Sequence, residues 1–305
     1  MKKLLCIICI LCCALAVPAG AEEERNGPQL SWKIPQEYTL LCMDAPGTVE
    51  LIRYPTRDYA GDGHAFEKEA YVYLPYGYDT GKQYNVVILC HGIGGSKDEW
   101  GLNKPAGKLK CIADNLIAKG EAEPFILVTP DGRAGEHFAN DAAKTASFYR
   151  FGEELRNDLL PYMDAHYATY ADYDEAGYDL SASREHRAIA GLSMGGMQTV
   201  NIGLCECVDL FSCFGAFSAA PTTYTAPRIA EELADSPYEI GLFYSVCGRD
   251  DKVAYASATA AINGLDERCD KLTQGENLIV YELAGGHNFY VWNLGFFHFA
   301  GLMFR

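Results

Sequence analysis

The stretch Arg187-Ala188-Ile189-Ala190-Gly191-Leu192-Ser193-Met194-Gly195-Gly196 decides the fold. Its first half is a short apolar run of the kind that forms a strand covered on both faces. G-x-S-x-G follows, and then Met197, Val200 and Leu204 at helical spacing. A turn this tight between strand and helix needs glycine on each side of the serine, so that Ser193 can project without clashes. The pentapeptide alone is short enough to arise by chance, and a turn serine at a helix N-terminus would share it. The strand before it and the helix after it give it weight.

Working outward, the same kind of run recurs at Val86 to Cys90, Phe125 to Val128, Leu242 to Val246 and Leu278 to Tyr281. Helical spacing lies between them, as in Leu155, Leu159, Tyr162 and Met163. Alternating strand and helix predict an α/β fold with a mostly parallel central sheet flanked by helices. Thr48 to Tyr54 and Ala70 to Leu74 read as opening antiparallel strands. In such sheets function gathers at the carboxyl ends of the strands.

With 305 residues, 49% of them hydrophobic, the chain can fill one large core, and neither repeats nor a low-complexity linker divide it. Residues 1–21 run from Lys2 and Lys3 through an apolar stretch to Ala19-Gly20-Ala21, the layout of a secretory signal peptide cleaved before Glu22. The apolar stretch is shorter than the roughly 20 residues that span a bilayer, so export rather than anchoring is expected. Residues 22–305 then form one domain, of which 22–60 are an N-terminal extension and the first strands. Loss of Lys2 and Lys3 takes the net charge from −16 to about −18, which repels nucleic acid and anionic membranes and favours neutral partners. Eight cysteines remain after cleavage, scattered too widely for a disulfide scaffold; Cys205-x-Cys207 has no second pair at zinc spacing, so no metal is expected.

Serine is weakly nucleophilic at neutral pH, so a histidine must take its proton while a carboxylate fixes the imidazole tautomer. In an α/β-hydrolase the order is serine, acid, histidine. Only His287 and His298 follow Ser193. His287 stands just after the last strand and is the expected base, whereas His298 lies in the aromatic run Phe296-Phe297-His298-Phe299 and reads as a packed helix residue. The acid should follow Leu242 to Val246, where Gly248-Arg249-Asp250-Asp251 offers two carboxylates that spacing cannot separate. Oxyanion donors are expected from the Met194 N–H, directly after the nucleophile, and from the Ile93 N–H in His91-Gly92-Ile93-Gly94-Gly95-Ser96. That loop lacks both the G-K-[ST] and the G-x-G-x-x-G of phosphate cradles, and His91 reads as a residue that shapes it.

Tyr73-Leu74-Pro75-Tyr76-Gly77-Tyr78-Asp79, His91 to Ser96 with Trp100, Asp114 to Ile117, Val128-Thr129-Pro130, Arg184 to Gly196 and Gly285-Gly286-His287 together resemble carbohydrate esterase family 1, the feruloyl and acetylxylan esterases within the esterase D-like group. The likeness runs from about Ala70 to Phe299. It implies a G-x-x-D acid, which Gly248 places at Asp251, with Asp250 second. It also implies ester hydrolysis without a cofactor, on hydroxycinnamoyl esters of arabinoxylan or acetyl groups of xylan. Trp100, Phe289, Tyr290 and Trp292 are then candidate substrate contacts, although most aromatic burial is packing. Asn288, the doubled Asp250-Asp251 and an insertion around Tyr173 to Ser183 depart from the family pattern, and the insertion bears on pocket shape. An S-formylglutathione hydrolase-like thioesterase or an acyltransferase would share the motif layout. A non-catalytic carbohydrate-binding protein would not need a complete Ser, Asp, His set.

Overall fold

A computed structural model describes Pro28, residues 30–136 and residues 145–305. The expected signal segment lies outside them. Strands β1 (Thr48–Arg57), β2 (Ala65–Leu74), β3 (Asn85–Cys90), β4 (Phe125–Pro130), β5 (Arg187–Leu192), β6 (Cys213–Phe217), β7 (Leu242–Gly248) and β8 (Leu278–Leu283) form one sheet in the order β1-β2-β4-β3-β5-β6-β7-β8. β1 and β2 pair antiparallel, as do β2 and β4, and the remaining pairs are parallel. This is the α/β-hydrolase architecture, with its topological switch point between β3 and β5, where successive connections leave toward opposite edges of the sheet.

The parallel strands β3 to β7 are buried throughout and mostly apolar because both faces are covered. Val86 and Ile88 join Ile126, Phe151, Leu155 and Met163 on one face, and Val87 and Leu89 join Leu127, Leu109, Ile112 and Phe296 on the other. Helices α1 (Lys108–Ala118), α2 (Phe151–Glu154), α3 (Leu160–His166), α4 (Met194–Gln198), α5 (Ala226–Leu233), α6 (Tyr255–Ile262) and α7 (Phe289–Leu302) supply the covering layers. A π turn, Leu155–Leu159, joins α2 to α3, and a second, Thr199–Glu206, extends α4.

Strand β6 has no counterpart among the apolar runs read from the sequence. It is only five residues long and is broken by Gly215, where a Cβ would lie 2.9 Å from Ala190 Cβ and 3.0 Å from the Phe299 ring. Close packing against α7, not strand propensity, chose that glycine. Tyr173 to Ser183 lies between α3 and the N-terminal end of β5, where the Leu180 carbonyl accepts from the buried Arg187 guanidinium. It therefore sits at the opposite end of β5 from Ser193, and the expected effect on pocket shape is not found.

His298, on α7, ties the N-terminal segment to the core. Its Nε2–H donates to the Ser31 carbonyl (2.9 Å) and its Nδ1 accepts from the Tyr244 hydroxyl (2.9 Å), so the fold holds a neutral imidazole. Burial pushes its pKa from 6.5 down to about 4, against the opposing pull of the Ser31 carbonyl. The folded pKa lies below the unfolded one, so this contribution is complete above pH 6.5 and is lost as pH falls toward 4, by about 3 kcal/mol. In urea titrations between pH 7.5 and 4.5, wild type is expected to lose about 2–3 kcal/mol more than His298→Gln; equal losses would show that His298 does not carry the effect.

Candidate active site

Ser193 sits between the last residue of β5 and the first of α4, with φ 52° and ψ −112°. A non-glycine residue in this sparsely populated region costs on the order of 1–3 kcal/mol and persists only where its surroundings impose it. They do so here through the Ser193 N–H, which donates to Phe217 O (2.9 Å), and the Ser193 carbonyl, which accepts from Met197 and Ala220 N–H (both 3.0 Å). The flanking glycines are sterically required: a Cβ on Gly195 would lie 2.5 Å from Cys90 O, and one on Gly191 2.6 Å from the Gly195 carbonyl carbon.

His287 Nε2 is 3.0 Å from Ser193 Oγ, and its Nδ1 is 2.8 Å from Asp251 Oδ2. With Nδ1–H donating to the carboxylate, Nε2 is left as the acceptor for the serine hydroxyl. Asp251, 2% exposed, has its other oxygen bonded by the Val253 and Ala254 N–H groups (both 2.9 Å) just ahead of α6. Burial raises its pKa, but hydrogen bonds from His287, Ala254 and the Ser218 hydroxyl outweigh it and hold the carboxyl below its ordinary value. Asp250 is exposed, and its backbone N–H donates to Gly285 O (2.9 Å). Of the two neighbours, Asp251 faces the imidazole. Gly248 permits this, since a Cβ there would lie 2.1 Å from Gly285 O in the segment that carries His287. Asn288 has a local purpose: its side chain accepts from Tyr290 N–H (3.0 Å) and caps α7.

The loop after β3 reaches this centre, for a Cβ on Gly92 would lie 3.4 Å from Ser193 Cβ. Neither the Ile93 nor the Met194 N–H has a hydrogen-bond acceptor among the described residues. Both are unengaged donors just past the carboxyl ends of β3 and β5. Buried His91 presents Nδ1 to Gly92 O (2.6 Å) and shapes the loop.

The four aromatic candidates differ in how far they are covered. Trp100 is 4% exposed, donates its Nε1–H to Cys90 O (3.0 Å) and packs edge-on to Phe217 and Phe289. Trp292 is 7% exposed, with its indole nitrogen enclosed, and stands edge-on behind the His287 ring at 5.0 Å. Both pack beside the catalytic residues. Phe289 is half-buried and Tyr290 exposed. The sequence reading missed Ser218, whose buried hydroxyl supports Asp251, and Arg133, which contacts the loop after β3. The signal available for Arg133 was its place in Pro130-Asp131-Gly132-Arg133, at the carboxyl end of β4. The eight cysteines among the described residues are unpaired, and seven are buried.

The esterase family model matches residues 66–299. The chain is 32% identical over 204 residues to endo-1,4-beta-xylanase Y of Acetivibrio thermocellus, an alignment covering 65% of this chain and 18% of that protein. It is 36% identical over 185 residues to an endo-1,4-beta-xylanase/feruloyl esterase of Xylanibacter ruminicola, covering 59% and 22%. The aligned region thus spans about a fifth of each of these relatives. Among solved structures, the feruloyl esterase module from Clostridium thermocellum complexed with sinapinate superposes with a TM-score of 0.73 at 26% identity, covering 92% of this chain and 95% of that one. A ferulic acid esterase from the anaerobic fungus Anaeromyces mucronatus shares the fold, with a TM-score of 0.72 at 23% identity over 90% and 98% of the two chains.

Proposed function

The chain belongs to the esterase family, and from that we propose that it is a serine carboxylic-ester hydrolase acting on ester decorations of plant cell-wall polysaccharide. The observation that carries this reading is the hydrogen-bonded line from Ser193 Oγ through His287 to Asp251. In the proposed reaction Ser193 Oγ attacks the ester carbonyl while His287 Nε2 takes its proton, and the carbonyl oxygen becomes negative against the Ile93 and Met194 N–H groups. Collapse breaks the bond to the sugar oxygen, which takes the proton from His287. Water, deprotonated by the same imidazole, then cleaves the acyl-enzyme and restores Ser193. Asp251 holds the tautomer and stabilises the imidazolium. The reaction needs no cofactor.

The proposed substrate is a hydroxycinnamoyl ester of arabinoxylan, most simply a feruloyl ester. Likeness to a feruloyl esterase module complexed with sinapinate supports it, as does likeness to a xylanase/feruloyl esterase. Phe289 and Tyr290, beside His287, offer aromatic surface to such an acyl group. A net charge of −16 suits a neutral polysaccharide better than an anionic partner. The leader-like sequence from Lys2 to Ala21 supports export, and residues 22–305 as one domain are part of the same proposal. Among the described residues no helix is long and apolar enough to cross a membrane.

Assay of the purified protein on methyl ferulate and on acetylated xylan tests the substrate. Ferulate release is expected to exceed acetate release by at least about tenfold in kcat/KM, the discrimination a fitted pocket gives. The reverse order would make it an acetylxylan esterase, and inactivity on both would remove the plant-wall reading.

A further inference from the structure

Arg133 is 2% exposed, an unusual place for a guanidinium, and the reaction as described does not use it. Its Nη2 donates to two carbonyls of the loop after β3, Ile93 O (2.7 Å) and Gly95 O (2.9 Å), while Nη1 donates to Asp131 Oδ1 (2.9 Å). The guanidinium carbon lies 4.8 Å from the centre of the Phe148 ring. The segment bearing Arg133 is itself pinned from below. Buried Lys68 donates to Asp131 O (2.8 Å), Arg133 O (2.7 Å) and the Glu154 carboxylate (2.7 Å), and Glu154 also accepts from the Tyr54 hydroxyl (2.6 Å).

The loop so held contains Gly92, Gly94 and Gly95, which without restraint would sample a wide range of backbone conformations. The Ile93 N–H shares a rigid trans peptide plane with Gly92 O, and the two point in opposite directions. His91 Nδ1 (2.6 Å) and Gly95 N–H (3.1 Å) both bond Gly92 O, fixing that plane from one end. Arg133 fixes the next plane, through Ile93 O, and the far arm of the loop, through Gly95 O. The planar fork presents donors on separate nitrogens, Nη2 to the two carbonyls and Nη1 to the carboxylate, in a fixed geometry that the single rotating ammonium of a lysine does not reproduce.

We propose that Arg133 is a positioning residue of the ester-hydrolysis reaction, clamping the loop after β3 so that the Ile93 N–H is aimed at the oxyanion before substrate arrives. Preorganised donors act mainly on the transition state, because they do not reorganise as charge develops. The inference rests on the acyl-transfer reading of Ser193, so wild type is first labelled with a fluorophosphonate and the adduct mapped. Arg133→Lys and Arg133→Met are then compared with wild type for methyl ferulate kinetics and for affinity to phenylboronic acid, whose serine adduct puts an oxygen where the oxyanion forms. Each variant is expected to lose about 10- to 100-fold in kcat, somewhat less than deletion of a donor outright, with KM changed by less than about threefold. Boronate affinity should fall in step with kcat/KM, and Arg133→Lys should retain more of both. If Arg133→Met does not fold, Arg133→Lys carries the test. Unchanged kcat, or a fall in kcat with boronate affinity intact, overturns the inference alone. An unlabelled Ser193 in wild type overturns the acyl-transfer reading and this inference with it.

Discussion

Ser193→Ala is expected to lower kcat for ester hydrolysis by about 10⁶-fold while the protein keeps its fold and binds substrate with nearly unchanged affinity. The hydroxyl contributes nothing to the turn that displays it. That turn is held by Ser193 backbone bonds to Phe217, Met197 and Ala220 and by the clearance at Gly191 and Gly195, none of which alanine disturbs. The loss is therefore chemical. Rate above the uncatalysed reaction can persist through the Ile93 and Met194 donors acting on water attack. A variant that folds, binds substrate and still turns over within tenfold of wild type would mean that another group attacks the ester.

Asp251→Asn is expected to lower kcat by about 10⁴-fold, and Asp250→Asn to change it by less than about twofold. An amide at position 251 can present its nitrogen to His287, which turns the imidazole to the tautomer with Nδ1 as acceptor and leaves Nε2 protonated, unable to take the serine proton. The Val253 and Ala254 N–H groups favour an oxygen at the other branch of the side chain, so the amide nitrogen is directed toward His287. Asp250 is exposed, and its bond to Gly285 is made by its backbone, which asparagine preserves. A large loss from Asp250→Asn with little from Asp251→Asn would reverse the assignment.

The expected sheet was largely legible because most of its parallel strands are covered on both faces, which writes them as near-continuous apolar runs, and because Ser193 stands where a strand-to-helix turn leaves a recognisable glycine pattern. Strand β6 escaped because packing against Phe299 placed Gly215 in its centre. The choice between Asp250 and Asp251 could not come from spacing: adjacent side chains differ only in direction, and direction is set here by the Gly248 contact with Gly285. How far Trp100 and Trp292 are covered could not be read either, because aromatic residues near a motif look the same whether they line a pocket or support it. Trp100 is buried among Phe217, Phe289 and Phe296 and bonds Cys90 O across ten residues, at the end of β3. Arg133 escaped for a related reason, since two of its acceptors are backbone carbonyls some forty residues earlier, and carbonyls carry no side-chain signature.

The account stands on Ser193 as the nucleophile, and covalent trapping tests it most directly. Wild type and Ser193→Ala are each treated with a fluorophosphonate, digested and mapped by mass spectrometry. The account predicts one stoichiometric adduct in wild type, on the peptide containing Ser193, and none in the variant; an adduct elsewhere in wild type, or labelling that persists in Ser193→Ala, would contradict it.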